Sequence, residues 1–394
     1  MQFSISERLK NFGPAWLVMI ADIDIASIIT GLQAGSIWGY RMIFVMVILI
    51  LPLFFVQDAA GRLGIASGFG LGEAIHRFMG KKTAALAAVP MALSDFMEYV
   101  AEYAGIAVGL QILGLPVFVG LLLVYIVHTV IVIRRQYRHA ELVLLPLSFV
   151  VVGGILLSVL VFHFDFLDVI RIGLSPFQPY GNPSFDYLLA ASIGAVVMPW
   201  MLYFHSGADS RKSKKKQAMK DERIETLVGA VISEVLMAVI VLDGLHLSSA
   251  GAFLSMADLS HALSIFGGNA SLILGIGFVS AGFLALVVIS LGSAWGVLEA
   301  LNRKSWNSFL LVYAFESLPA LFLVLFSAGY IQLMLNLMVI YTIVILPSLF
   351  FLGRLVSRRD VMNGHEYSKY WRAAFWIMSI SIAIGGLSGI LFLL

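Results

Sequence analysis

The sequence predicts an all-α polytopic membrane protein with about eleven transmembrane helices. Of its 394 residues, 60% are hydrophobic and only 12% are charged, whereas about a quarter of the residues in a soluble protein carry a charge. The apolar runs reach about twenty residues, which is the length that a helix needs to cross a bilayer. The strands of a membrane β-barrel would alternate in character over short segments, so helices are favoured.

The apolar runs give the predicted spans in order. They lie near residues 14–38, 42–60, 84–113, 115–133, 141–163, 186–207, 224–245, 268–301, 307–328, 331–352 and 371–394. Lysine and arginine set the orientation, because cytoplasmic loops carry an excess of them. With a cytoplasmic N-terminus, every lysine and arginine except Arg41 and Arg171 falls inside. The odd number of spans then places the C-terminus outside, and we expect a multi-pass protein of the inner (plasma) membrane.

The spans form one predicted transporter domain, residues 1–394, without a separate soluble domain. Residues 14–163 and 186–352 would each hold five spans, and residues 371–394 would add one helix. An odd-numbered repeat inverts in the membrane, which is the plan of inverted-repeat transporters. The first and sixth spans contain interruptions in corresponding places, and such pairs point to the binding site of a transporter.

The interruption in the first span contains two acids, Asp22 and Asp24. A charge near the middle of a span costs about 2.5–3.5 kcal/mol, so it is rarely without a role. On a continuous helix the two carboxylates would point about 200° apart. Either only one of them faces the functional interior, or the helix is unwound there. In the sixth span Pro199 lacks a backbone N–H and disturbs the helix.

Further polar or bulky residues lie near these interruptions. Asp95, Glu98 and Glu102 share one face of the third span because their spacing is i, i+3, i+7. We interpret them as a water-lined acidic vestibule, with Asp95 alternatively solvated near the interface. Trp200 would be a bulky plug near the site. His205 could relay protons or act as a gate, or it could simply be hydrogen-bonded.

Motifs along most of the chain resemble those of the Nramp family of divalent-metal transporters. They are Gly13-Pro14, Gln33-Ala34-Gly35, Gly39-Tyr40, Gln57 with Gly61 to Gly68, Met198-Pro199, His205-Ser206, Ser280-Ala281-Gly282, Glu299 and Leu318 to Leu321. The resemblance implies a fold similar to LeuT, with a 5+5 inverted repeat and interrupted helices 1 and 6. It also implies a secondary transporter that works by alternating access.

The resemblance also implies a set of metal ligands. They would be the side chains of Asp24, Ser27 and Met198 with the backbone carbonyls of Ala21 and Ala195. A carboxylate combined with a thioether suits Mn²⁺ or Fe²⁺ better than Ca²⁺ or Mg²⁺. Asp22, Glu98, Glu102, Trp200 and His205 would lie in a second shell or vestibule.

The sequence departs from the family pattern at several of these positions. Ser27 replaces the family's asparagine, and Ile25-Ala26 replaces its helix-breaking Pro-Gly. Tyr99 and Tyr313 stand where the family has an aspartate in the third span and an arginine in the ninth. Loss of that charged pair disfavours proton coupling, so the ion would move down its own gradient.

Two other functions are compatible with the sequence. A site altered in this way is similar to that of Nramp-related magnesium transporters, although Mg²⁺ gains nothing from the sulfur of Met198. A carrier of a small organic solute with a LeuT-like fold would suit a more apolar site. No enzymatic motif is evident, and the absence of cysteine excludes thiolate chemistry. We therefore predict no enzyme and no cofactor. The expected partners of a monomer are a divalent metal ion as substrate and the lipid bilayer, without nucleic acid.

Overall fold

The computed structural model describes residues 13–134, 164–212, 216–247, 268–327 and 329–391. Within these ranges the regular structure is helical and includes no strand. The helices are α1 Pro14–Ala21, α2 Ile25–Trp38, α3 Ile43–Ser67, α4 Leu71–Met79, α5 Lys81–Ile112, α6 Val117–Ile133, α7 Phe166–Asp168, α8 Pro183–Val196, α9 Pro199–Asp209, α10 Lys216–Leu245, α11 Gly268–Ala300, α12 Trp306–Leu325, α13 Tyr330–Val344, α14 Leu346–Val356, α15 Arg359–Met362 and α16 Lys369–Ile390.

The predicted all-helical membrane fold is confirmed. Eight helical stretches of the described residues are long and apolar enough to cross a membrane, and α6 is a shorter apolar helix. One stretch, Ile25–Ser67, combines α2 and α3 across the 3₁₀ turn Gly39–Met42. It therefore holds the second half of the first predicted span and all of the second. The span predicted at 141–163 lies outside the described residues, and the division into two repeats stays a prediction.

Glycines allow the helices around the first span to approach closely. A Cβ atom at Gly35 on α2 would overlap the carbonyl of Val241 on α10, and one at Gly244 would overlap the carbonyl of Leu32. Small residues at such crossings let two membrane helices pack backbone against backbone. Because α2 also contacts α5, it is placed beside two helices that carry buried acids, Glu98 and Glu102 on α5 and Glu234 on α10.

Candidate metal site at two helix breaks

The first span is broken at residues 22–24, between α1 and α2. Asp24 is the N-cap of α2, and its carboxylate accepts a hydrogen bond of 2.6 Å from the backbone N–H of Ser27. Such a cap satisfies one of the amide donors that a helix start leaves free. The interruption therefore persists although Ile25-Ala26 replaces Pro-Gly, because the capping carboxylate stabilises a new helix start.

The second break separates α8 from α9 at Val197 and Met198. Pro199 begins α9 and has no N–H, so the carbonyl of Ala195, four residues earlier, loses its helical donor. The hydroxyl of Ser27 donates to this carbonyl over 3.2 Å instead. This hydrogen bond joins the two breaks and brings two of the predicted ligand residues together.

Three buried carboxylates converge beside the first break. Asp24, Glu98 and Glu102 each place an oxygen within 4.8 Å of the others. All three side chains are at most 1% exposed. Among the described residues, the side-chain oxygens of Glu98 and Glu102 and the Oδ2 of Asp24 accept no well-aligned hydrogen bond, and the donors that lie near them are the Tyr341 hydroxyl at Glu98 and the backbone N–H of Ile25 at Glu102. Like charges at this separation repel strongly in a buried site, and a divalent cation between them would offset the repulsion.

Glu98 and Glu102 are one helical turn apart on α5, so they present their carboxylates on one face. Gly282 on α11 leaves room for this face, since a Cβ atom there would lie 3.2 Å from Oε2 of Glu102. The sequence pattern predicted a vestibule for both glutamates and not their position beside Asp24. The spacing of Glu98 and Glu102 showed that they share one face of α5. It did not show which helix that face contacts.

Asp22 makes its hydrogen bond on another side of the break. Its Oδ2 accepts a hydrogen bond of 3.2 Å from the hydroxyl of Ser233 on α10, next to the buried Glu234. The two acids that lie two positions apart in the sequence therefore bond to different helices. Asp24 belongs to the group of three carboxylates, whereas Asp22 is held by α10.

Met198 occupies the N-cap position of α9 without a capping hydrogen bond from its side chain, and it is fully buried. Its sulfur accepts a hydrogen bond of 3.4 Å from the indole N–H of Trp200. Trp200 itself is 1% exposed. Trp200, which was predicted to be a bulky plug, therefore hydrogen-bonds Met198, the predicted sulfur ligand.

His205 lies in a second polar cluster, at the far end of α9. Its Nε2 is 2.7 Å from Oε1 of Glu222 and 3.5 Å from Oδ2 of Asp209, and its Nδ1 is 2.9 Å from Oε1 of Gln57. We call this group, together with Lys212 and Glu225, the Lys212 cluster. His205, Asp209 and Glu222 are spaced closely enough to hold a metal, but the ammonium of Lys212 already lies among these acids.

Lys212 bridges three carboxylates of this cluster. Its Nζ lies 2.6 Å from Glu222, 2.9 Å from Asp209 and 3.5 Å from Glu225. Burial lowers the pKa of Lys212, but the charges of Asp209, Glu222 and Glu225 outweigh burial and hold the pKa above its usual value. Lysine is therefore charged here, and its charge compensates the buried acids.

Glu225 connects the Lys212 cluster to the beginning of α1, the first helix of the described residues. Its Oε1 accepts hydrogen bonds from the backbone N–H groups of Gly13 (2.8 Å) and Trp16 (3.1 Å). A carboxylate is favourable at a helix N-terminus, where the amide groups are unpaired and the helix dipole is positive. The basic linker after α9 was the signal for this cluster in the sequence, but only the fold shows that the ammonium of Lys212 meets the carboxylates of Asp209, Glu222 and Glu225.

Aromatic residues occupy the positions of the family's charged pair. Tyr99 on α5 and Tyr313 on α12 lie with their ring centroids 6.2 Å apart, and His128 on α6 lies 5.3 Å from Tyr313. The Tyr313 hydroxyl is 2.9 Å from the hydroxyl of Thr129 and 3.2 Å from Nδ1 of His128. This region is thus an aromatic cluster rather than an ion pair.

Comparison with known proteins matches the model of the Nramp family, described as natural resistance-associated macrophage protein-like, to residues 15–393. The divalent metal cation transporter MntH of Staphylococcus haemolyticus is 28% identical over 256 residues, which are 60% of this chain and 57% of that relative's length. The MntH protein of Staphylococcus aureus (strain JH9) is 24% identical over 404 residues, with 95% of this chain and 89% of the relative covered.

The fold is shared with crystal structures of the Eremococcus coleocola manganese transporter. The complex with an aromatic bis-isothiourea compound has a TM-score of 0.83 at 19% identity and covers 98% of this chain and 88% of that one. A mutant of the same transporter has a TM-score of 0.84 at 18% identity, with coverage of 97% and 86%. These structures confirm the LeuT-like membrane fold. Because the family model spans nearly all of the sequence, the chain belongs to the Nramp family.

Proposed function

We propose that this protein transports a divalent metal cation across the membrane by alternating access. The observation that carries the proposal is the convergence of Asp24, Glu98 and Glu102 at the break in the first span. Three buried carboxylates, of which only Asp24 accepts a short hydrogen bond, from the backbone N–H of Ser27, form a site for a cation, and a charge in a membrane span marks function. The names of the MntH relatives and of the manganese transporter structures support the same class of substrate.

The ion would be held by oxygen atoms together with one sulfur. Asp24, Glu98 and Glu102 supply hard, charged oxygens, and the carbonyls of Ala21 and Ala195 lie at the ends of the interrupted helices. Met198 would add a soft thioether, while Ser27 orients the Ala195 carbonyl through its hydrogen bond. This set suits Mn²⁺ or Fe²⁺. The ion is the substrate, and we propose no cofactor and no enzymatic activity.

Mg²⁺ is the second candidate, and the group of three carboxylates favours it. Mg²⁺ prefers oxygen ligands and often retains several waters while it binds one or two carboxylates. Calorimetry with Mn²⁺, Fe²⁺ and Mg²⁺ on the purified protein tests both candidates at once. We expect Mn²⁺ to bind with micromolar affinity. If a folded sample binds none of Mn²⁺, Fe²⁺ and Mg²⁺, the proposal is refuted. The same acids disfavour an anionic organic solute.

Transport is expected to be uncoupled from protons. Tyr99 and Tyr313 replace the charged pair of the family, and their rings pack against each other instead of forming a relay of acids and bases. In proteoliposomes, Mn²⁺ uptake should increase with a negative internal potential, and a pH dye inside should show no acidification linked to that uptake. Acidification in a constant ratio to Mn²⁺ uptake would contradict this prediction, and vesicles without protein control for leakage.

We propose that the protein is a monomer of the plasma membrane with a cytoplasmic N-terminus and an external C-terminus. Since the chain has no cysteine, single cysteines report topology without background. Arg171 and Lys304 are both exposed and lie on opposite sides in this orientation. An impermeant maleimide should label Arg171→Cys on intact cells, and Lys304→Cys only after permeabilisation. The reverse pattern would invert the orientation.

A further inference from the structure

Trp200 is a fully buried residue whose single polar atom has a specific partner. An indole has one donor and no acceptor, and a buried one usually finds a hydrogen-bond partner. Here the Nε1–H donates to the sulfur of Met198 over 3.4 Å. The two residues lie on either side of Pro199, at the point where the sixth span is broken.

Packing holds the indole in this position. A Cβ atom at Gly292 on α11 would lie 3.2 Å from the carbonyl oxygen of Trp200 and 3.5 Å from its ring carbon Cε3. The ring of Phe204 also meets the indole edge to face, with centroids 6.5 Å apart. The glycine makes room for the large ring, and the surrounding groups restrict its rotation. The N–H therefore stays directed at Met198.

A hydrogen bond to the thioether changes what the sulfur can offer to a metal. A thioether binds soft cations through its lone pairs. An N–H donor occupies one lone pair and withdraws electron density from the sulfur, so donation to a soft cation weakens. The carboxylates of Asp24, Glu98 and Glu102 are unaffected by this bond, because none of them contacts the indole N–H. The relative affinity of the site would therefore shift from soft cations towards hard cations.

We propose that Trp200 is a specificity-determining residue, which hydrogen-bonds the sulfur of Met198 and thereby lowers the preference of the site for soft cations such as Cd²⁺ relative to Mn²⁺ and Mg²⁺. This inference rests on the proposed metal-transport function. Trp200 acts through Met198 and does not itself contact the ion.

The test is Trp200→Phe, which retains an aromatic ring and removes the N–H. The ratio of the Kd values for Mn²⁺ and Cd²⁺, measured by calorimetry, should shift in favour of Cd²⁺ by about three- to tenfold, the range expected for one hydrogen bond. The corresponding ratio of Mg²⁺ to Cd²⁺ should shift in the same direction. Competition of Cd²⁺ with Mn²⁺ uptake in proteoliposomes should strengthen by a similar factor.

A double-mutant cycle with Met198→Ala separates this role from simple packing. Met198→Ala should weaken Cd²⁺ binding about three- to tenfold more in the Trp200→Phe background than in the native background. An unchanged ion ratio in Trp200→Phe would overturn the inference, and so would a shift that persists with alanine at position 198. Trp200→Leu provides a second variant without a donor, should the phenylalanine variant not fold.

The two levels of proposal fail in different ways. If the native protein binds none of Mn²⁺, Mg²⁺ and Cd²⁺, the proposed transport function itself is wrong. If it binds Mn²⁺ but the ion ratio is the same with and without the indole N–H, only the role of Trp200 is wrong.

Discussion

Mn²⁺ binding is expected to weaken by about 100-fold or more when Asp24 is replaced by asparagine, since even the residues that merely orient metal ligands contribute about 10- to 100-fold. Asparagine keeps the size of the side chain and an oxygen that can accept the 2.6 Å hydrogen bond from Ser27. The substitution therefore removes one negative charge from the group of three carboxylates and preserves the helix cap. Calorimetry with Mn²⁺ on purified protein measures the change directly.

Asp22→Asn is the matched control for this substitution. The residue is equally buried and lies only two positions away, but its carboxylate is hydrogen-bonded to Ser233 on α10. We expect Asp22→Asn to change Mn²⁺ affinity far less than Asp24→Asn does. Equal losses in both variants would mean that the site extends to α10, and no loss in Asp24→Asn would exclude the carboxylate group as the binding site.

Lys212→Met is expected to lower the free energy of unfolding by about 3–5 kcal/mol, because it leaves buried carboxylates without their counter-charge. The side chain of Lys212 is only 11% exposed and lies within 4.0 Å of three acids. Methionine has a similar length and preserves much of the packing, so the loss would report mainly the charge. Thermal or denaturant unfolding in detergent measures it.

Two further variants separate the effect of the Lys212 charge on stability from the effect of its packing. Lys82→Met makes the same substitution at an exposed residue and should leave stability nearly unchanged. Adding Glu222→Gln to Lys212→Met should restore part of the stability, because it removes one uncompensated acid. If Lys212→Met is as stable as the native protein, the Lys212 cluster does not hold α9, α10 and the start of α1 together.

The sequence alone determined the membrane class, most of the spans and the presence of both interruptions. These properties depend on local rules: the length of an apolar run sets a span, and the missing N–H of Pro199 disturbs its own helix. Asp24 marked the first break for a related reason, since a mid-span carboxylate requires partners. The structure showed that this carboxylate caps the next helix, which explains why the break survives without Pro-Gly.

Only the tertiary structure decided which acids meet. Helical spacing placed Glu98 and Glu102 on one face, but the neighbour of that face depends on how α2 packs against α5. This packing relies on residues such as Gly105, where a Cβ atom would overlap Ile25. Between membrane helices the hydrophobic effect provides no guide, because lipid is as apolar as the side chains, so close packing of small residues selects the contacts. For this reason Asp24 joined the glutamates of α5, and Asp22 bonded to Ser233 on α10.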